Sequence, residues 1–217
     1  MEKQIKISVL TPTIRGEEAI APNRMSLAAM NFDQDELEWL IEEGDDSKHD
    51  LNAAFNRMLK RAKGELIIFM EDYTKATTEG LRKFWEAYQK DSSVFWTAPL
   101  GKTLDWKHLE WDWRAYADAN DTTYNCWEID WGAAPKKALF EIGGFDEELD
   151  NYWSCDNVNV AYRAYLNGYK FKNMFDNPAV AYDHNKVMKH PFANNYNPDF
   201  NKERMATFKP GEKLTYL

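Results

Sequence analysis

The stretch GELIIFMEDYT, residues 64–74, decides the fold that this sequence predicts. Its apolar run from Leu66 to Met70 is bounded by turn signals, which indicates a central parallel strand covered on both faces. Glu71 and Asp72 follow the run directly, and Tyr73 comes next. A buried strand that ends on adjacent carboxylates raises the question of what those carboxylates bind.

The segments around this strand predict an alternation of strands and helices. Residues 5–10 and 37–41 are typical of two earlier strands, and residues 94–98 of a later one. Apolar residues recur at helical spacing within 49–64 and again within 81–88. The order strand–helix, repeated three times in the first hundred residues, predicts an α/β fold with a mostly parallel, doubly wound sheet.

The second half of the chain carries shorter elements. Tryptophan and tyrosine crowd residues 100–131, where we expect core packing for most rings. Short strands are predicted at 129–132, 170–174 and 180–182, and a helix at 156–167. Residues 185–217 are rich in Asn, Lys and Pro, and we expect them to form a C-terminal tail or lid.

Four residues predict where helices begin and end. Asp50 is a plausible N-cap and Gly64 a plausible stop for the helix between them. Pro22 is expected to open a short helix, and Pro135 is expected to be the first residue of another, since proline is favoured at the first helical position.

Composition excludes several classes of protein. The chain has 217 residues, of which 44% are hydrophobic, so it can bury a sizeable core. Its net charge of -9 argues against a protein that holds nucleic acid by its phosphates. No stretch approaches the roughly 20 apolar residues of a membrane span, and the start lacks the layout of a signal peptide. Cys126 and Cys155 form no CxxC pair, so we expect a cytoplasmic protein.

The carboxyl ends of the predicted strands indicate a ligand site. In open α/β sheets, ligands bind beyond these ends, where residues 11–15, 42–43 and 71–72 would meet. Carboxylates beside a bound diphosphate repel it unless a cation lies between, and oxygen ligands suit Mg²⁺ or Mn²⁺. An acidic protein that binds phosphate therefore needs a metal or a local basic patch. The alternative is that Glu71 and Asp72 cap the next helical region or face solvent.

Five segments, in this order, resemble the motifs of family 2 glycosyltransferases with the GT-A fold. The resemblance covers most of residues 5–184, and GGFDE is its most specific part. The five segments are ISVLTPTIR (7–15), WLIEEGDDS (39–47), AKGELIIFMEDY (62–73), EIGGFDEEL (141–149) and DNVNVAYRAYLNGYKF (156–171).

The resemblance implies an architecture and a reaction. It implies one Rossmann-like GT-A domain over residues 1–184, with a nucleotide-sugar half (1–100) and an acceptor half (101–184). It further implies transfer of a sugar from a nucleotide-diphospho-sugar, by preference a UDP-sugar, to a hydroxyl of a glycan or other acceptor. The reaction would be assisted by Mn²⁺ or Mg²⁺ and would invert the sugar configuration.

The same resemblance implies roles for the donor-side residues. Thr11 and Pro12 would contact the base or ribose, and Arg15 the diphosphate. Glu43 would accept a hydrogen bond from the base edge, although the sequence does not distinguish it from Glu42. The metal ligands implied are Glu71, Asp72 and His184.

On the acceptor side, the resemblance puts Asn157 at the position of the general base, and the adjacent Asp156 would act as the base in its place. Asp146 and Glu147 would shape the acceptor site, and Trp131 would stack against a sugar. The alternative is that these acids are ordinary helix-end residues and that the tryptophan belongs to the core. Asp156 has its own structural alternative, as the N-cap of the helix that follows.

Two departures from the family pattern leave an alternative function open. Tyr73 stands where the family has its main metal ligand, and Asn157 stands where it has its base. A non-catalytic relative that binds a nucleotide or sugar is therefore the second hypothesis. A sugar-phosphate nucleotidyltransferase is disfavoured, because residues 13–18 lack the glycine-rich, basic loop that such enzymes use.

Overall fold

A computed structural model describes residues 3–44, 50–112, 123–150, 152, 156–183 and 195–217. Its strands are β1 (Ile7–Thr13), β2 (Leu37–Glu43), β3 (Leu66–Met70), β4 (Thr74–Ala76), β5 (Val94–Thr97), β6 (Leu100–Thr103), β7 (Glu110–Trp111), β8 (Trp131–Pro135), β9 (Lys170–Asn173) and β10 (Ala179–Tyr182). Its helices are α1 (Gly16–Ala28), α2 (Leu51–Arg61), α3 (Gly80–Lys90), α4 (Lys136–Glu141), α5 (Asp156–Leu166) and α6 (Pro198–Thr207).

The main sheet has the order β2-β1-β3-β8-β5-β9. Strand β8 runs antiparallel to both of its neighbours, and every other pair in this sheet is parallel. A smaller sheet, of order β4-β10-β6-β7, lies beyond β3 along the chain. The expected α/β fold with a mostly parallel sheet in a single domain is confirmed.

Strand β3 is the centre of the core. All five of its residues are buried, because alternate side chains enter two separate apolar clusters. Ile67 and Phe69 pack with α2, α4 and α5, whereas Ile68 and Met70 pack with α1 and α3. Helices therefore cover both faces, as the unbroken apolar run of this strand predicts.

Both proline predictions are wrong. Helix α1 begins at Gly16, whose φ of 67° turns the chain out of β1, so Pro22 lies inside the helix. Pro135 is the last residue of β8 and precedes α4, where its fixed φ suits both elements. Asp50 does precede α2, although its side chain caps no backbone N–H there.

The described part of the C-terminal tail is packed against the domain. Helix α6 contacts α5, and Asn159 Nδ2 donates to Asn201 Oδ1 at 3.0 Å. Further on, the backbone N–H of Leu214 donates to the carbonyl of Ile142 at 3.2 Å. Across the described ranges, no helix is long and apolar enough to cross a membrane.

Candidate active site

The carboxyl edge of the main sheet brings Asp72 against two residues from the end of β1. Its side chain is only 3% exposed, and Oδ2 accepts hydrogen bonds from Thr13 Oγ1 at 2.7 Å and Arg15 Nη1 at 3.2 Å. The parallel pairing of β1 and β3 puts both strand ends at this edge. Asp72 is therefore a buried anchor for Arg15.

Glu71 is held by a lysine from the smaller sheet. Lys102, on β6, donates from Nζ to Glu71 Oε2 at 2.6 Å and lies 3.6 Å from Asp130 Oδ2. Burial and the Asp130 carboxylate raise the pKa of Glu71 against the opposing effect of Lys102. Burial lowers the pKa of Lys102, but the carboxylates of Glu71 and Asp130 outweigh it and raise the pKa overall. Lys102 is thus a positively charged partner of these acids.

The acids as arranged do not fit a divalent cation. Each accepts from a basic side chain, Glu71 from Lys102 and Asp72 from Arg15. In the part of the chain that the structure describes, no three His, Cys, Asp or Glu side chains come together as metal ligands would. The third expected ligand, His184, lies outside the described residues. We therefore derive no step through a metal.

Tyr73 has an unusual backbone conformation at the same edge. Its φ is 58°, in the left-handed region that a bulky residue adopts only where the surroundings enforce it. Its N–H donates to the carbonyl of Ala19 at 2.7 Å, and its carbonyl accepts from the N–H of Tyr182 at 3.2 Å. These bonds from α1 and β10 hold the turn that aims Glu71 and Asp72.

The remaining donor-side residues differ in their exposure. Thr11 is buried, and its hydroxyl accepts from Trp39 Nε1 at 3.0 Å, whereas Pro12 is partly exposed. Glu42 accepts from Arg57 and Arg61, but Glu43 is exposed at the end of β2. The two glutamates thus differ in their surroundings, because Glu42, 18% exposed, is paired with two arginines and Glu43 is exposed.

Asp156, the candidate base, is the first residue of α5 and is 5% exposed. Its Oδ1 accepts from Asn52 Nδ2 at 3.1 Å, and burial raises its pKa to about 7. The neighbouring Asp150 accepts from the backbone N–H groups of Asn52 and Ala53 at 2.9 and 3.0 Å. Burial raises the pKa of Asp150 to about 6. These two carboxyls share Asn52 and titrate near neutrality.

Asp156 lies beside Asn52, near the start of α2, the helix that follows β2 in the chain. The N–H of Gly44, just after β2, donates to the carbonyl of Thr13 at 2.8 Å. A Cβ on Gly44 would lie 3.5 Å from Asp50 Oδ1, and Asp50 directly precedes α2, whose second residue is Asn52. These contacts join the end of β1 to the residues that lead into α2, where Asn52 holds Asp156.

Asn157, at the position of the family's base, is part of the interior. Its Nδ2 donates to the carbonyl of Trp127 at 2.7 Å and to Glu128 Oε1 at 2.6 Å. The amide thus bridges α5 to the segment before β8. It has no proton-accepting group to offer a substrate.

Three of the expected acceptor-side residues are committed to internal contacts. Trp131 is 0% exposed and donates from Nε1 to the carbonyl of Asn177 at 2.8 Å. Asp146, also 0% exposed, accepts two hydrogen bonds from Arg204, and Glu147 accepts from Asn56 at 2.8 Å. The expected ligand contacts of Trp131 and Asp146 do not fit these positions, because neither side chain has surface free for a sugar.

Sequence reasoning missed Lys102, Asn52 and Asp150. Lys102 and Asn52 belong to elements distant in sequence from the acids they contact, and no local pattern links them. Asp150 ends the segment GGFDEELD, next to the motif that resembles the family. Its position there is the one feature of the sequence that indicates a functional role.

The fold is similar to that of known glycosyltransferases. No family model and no curated protein sequence matches this chain. TarS 1–349 from S. aureus, solved with UDP, superposes with a TM-score of 0.64 at 19% identity, covering 82% of this chain and 60% of TarS 1–349. The same protein with UDP-GlcNAc gives 0.67 at 16% identity, covering 87% of this chain and 61% of that one.

A second similar structure is the mannosyltransferase PcManGT from Pyrobaculum calidifontis, solved with GDP-Man and Mn²⁺. It superposes with a TM-score of 0.62 at 13% identity, covering 82% of this chain and 57% of PcManGT. This chain therefore has the GT-A fold of nucleotide-sugar transferases, and it spans about three fifths of the length of these relatives.

Proposed function

We propose that this protein is a glycosyltransferase that moves a sugar from a nucleotide-diphospho-sugar to an acceptor hydroxyl. A UDP-sugar is the preferred donor, since UDP and UDP-GlcNAc are bound by TarS, whose fold this chain shares. Arg15 and the exposed Glu43 lie at the edge where the donor would bind. The acceptor would be a glycan or another hydroxyl compound.

The observation that carries this proposal is the buried carboxyl of Asp156. A general base works best when its pKa lies near the working pH, and burial raises that of Asp156 to about 7. Asn52 orients the carboxyl by a hydrogen bond at 3.1 Å.

Asp156 would remove the proton of the acceptor hydroxyl as its oxygen attacks the anomeric carbon of the donor. The new carbon–oxygen bond forms as the bond to the diphosphate breaks, and the leaving nucleoside diphosphate carries away the electron pair. Attack from the side opposite the leaving group inverts the configuration. Arg15 would stabilise the charge that develops on the diphosphate.

The test is release of the nucleoside diphosphate from a panel of UDP- and GDP-sugars with candidate acceptors. Asp156→Asn should lower kcat by about 10²–10⁴-fold, the usual contribution of a general base, with UDP affinity unchanged. Asp176→Asn, at an exposed aspartate paired with Lys83, is the matched control and should keep full activity. Wild-type turnover by Asp156→Asn would refute the role of Asp156.

A nucleotide- or sugar-binding protein without transferase activity is the second candidate. Asn157 favours it, because its amide is locked between Trp127 and Glu128 and accepts no proton. Tyr73 favours it as well, since a neutral phenol is a poor ligand for Mg²⁺. Binding of UDP without turnover of any donor, and turnover only after Tyr73→Asp and Asn157→Asp, would establish this alternative.

A further inference from the structure

Both acids at the end of β3 already have a cation of the chain beside them. The ammonium of Lys102 lies 2.6 Å from Glu71 Oε2, and the guanidinium of Arg15 lies 3.2 Å from Asp72 Oδ2. We propose that Lys102, together with Arg15, neutralises the donor diphosphate directly, so that donor binding requires no divalent cation. This inference rests on the proposed function and assigns to Lys102 a role in it.

Lys102 has hydrogen-bond donors to spare for a phosphate. An ammonium has three N–H groups, and the short contact to Glu71 uses one of them. Asp130 Oδ2, at 3.6 Å, attracts the ammonium but lies beyond hydrogen-bond distance. The Lys102 side chain is 22% exposed, so a ligand at the sheet edge can reach it. The carboxylates thus orient this ammonium without using all of its donors.

Arg15 is the second cation that we assign to the diphosphate. Its guanidinium has five N–H groups, and Nη1 donates to Asp72. Its side chain is 18% exposed and stands just after β1, whereas Lys102 reaches the edge from β6. A diphosphate has oxygens enough to accept from both side chains, and charge-assisted hydrogen bonds of this kind are strong.

Electrostatic repulsion between Lys102 and a metal ion favours the ammonium at Glu71. A divalent cation that bound Glu71 Oε2 would stand within a few ångströms of Lys102 Nζ and would have to displace it. The chain has a net charge of -9, and an acidic protein needs either a metal or a local basic patch to hold a phosphate. Lys102 and Arg15 place two cations at this edge, beside the carboxylates of Glu71, Asp130 and Asp72.

The experiment is calorimetric titration of the full chain with UDP and with GDP, once in EDTA and once in excess Mn²⁺. We expect the tighter of the two nucleotides to bind with the same Kd, within about twofold, in both conditions. Lys102→Met should weaken this binding in EDTA by about tenfold or more, the effect of one charged hydrogen bond. A thermal melt of each variant checks that it is folded.

Two further variants make the result decisive. Lys170→Met, which removes an ammonium paired with Asp91 at 3.0 Å at the start of β9, should leave Kd unchanged. Glu71→Gln should bind at least as tightly as the wild type in EDTA, because Lys102 loses a competing partner. It also tests the inference independently should Lys102→Met fail to fold.

The outcomes distinguish failure of the metal-free binding from failure of the proposed transferase function. If Mn²⁺ tightens wild-type binding by about tenfold or more, and Glu71→Gln abolishes that gain, the metal has the role assigned to Lys102 and the inference fails. The transferase proposal would then stand. If neither nucleotide binds in either condition, the donor site itself is refuted and both proposals fall.

Discussion

The residue on which the chemistry depends most is Asp156. If it acts as the base, only its ionised form is active, and burial raises its pKa to about 7. We expect log(kcat/KM) to rise by about one unit per pH unit below that value and to level off above it. A pH–rate profile of sugar transfer measures this, and a flat profile between pH 5 and 8 would exclude Asp156 as the base.

The stability contribution of Asp156 has the opposite trend with pH. Because its folded-state pKa is raised above the unfolded value, the folded state holds the proton more tightly between pH 4 and 7. The resulting stabilisation is full below the unfolded pKa and is lost as pH rises through the folded pKa. The active ionised form is thus the less stable one, as expected for a group held for function rather than for folding.

Single strands and helices could be predicted from local sequence patterns. Contacts between elements that are distant in the sequence could not. The unbroken apolar run of β3 and the helical stripe of α2 are local patterns, and both appear where they were expected. The pairing of Lys102 with Glu71 crosses from one sheet to another, so no periodicity encodes it. Pro22 failed as a signal because Gly16 had already started the helix.

At the scale of elements, Gly64 sets the close approach of β3 to β1. Gly64 is not the helix stop that was expected, because α2 ends at Arg61 with Ala62 as its C-cap. A Cβ at Gly64 would lie 2.5 Å from the backbone N of Ser8. Gly64→Ala must push the two strands apart and should lower the free energy of unfolding by about 1–3 kcal/mol. Urea denaturation measures the change.

Gly101→Ala, in β6, is the control for this prediction. Its added Cβ would meet Trp111 only at 3.5 Å, an ordinary contact, so its stability should stay within about 0.5 kcal/mol of the wild type. Equal losses in the two variants would mean that glycine flexibility, rather than the approach of β3 to β1, governs both sites.

At the scale of the whole molecule, the C-terminal segment completes the domain around the segment GGFDEEL. Arg204, in α6, donates to both oxygens of Asp146, which is fully buried. Asn159 and Arg163, on α5, continue this polar layer, since Arg163 Nε donates to Asn159 Oδ1 at 3.0 Å. The motif most specific to the resemblance therefore has a structural role, which explains why its acid offers no surface to a sugar.

This arrangement predicts that α6 is needed for stability. Arg204→Met should remove the two charged hydrogen bonds to the buried Asp146 carboxylate and lower the free energy of unfolding by about 3 kcal/mol. Lys202→Met, in the same helix, removes only an exposed pair with Asp199 and should change it by less than about 0.5 kcal/mol. Adding Asp146→Asn to Arg204→Met should recover part of the loss in urea denaturation, because the stranded charge is then gone. A double variant no more stable than Arg204→Met would show that α6 contributes through its packing on α5 and not through this ion pair.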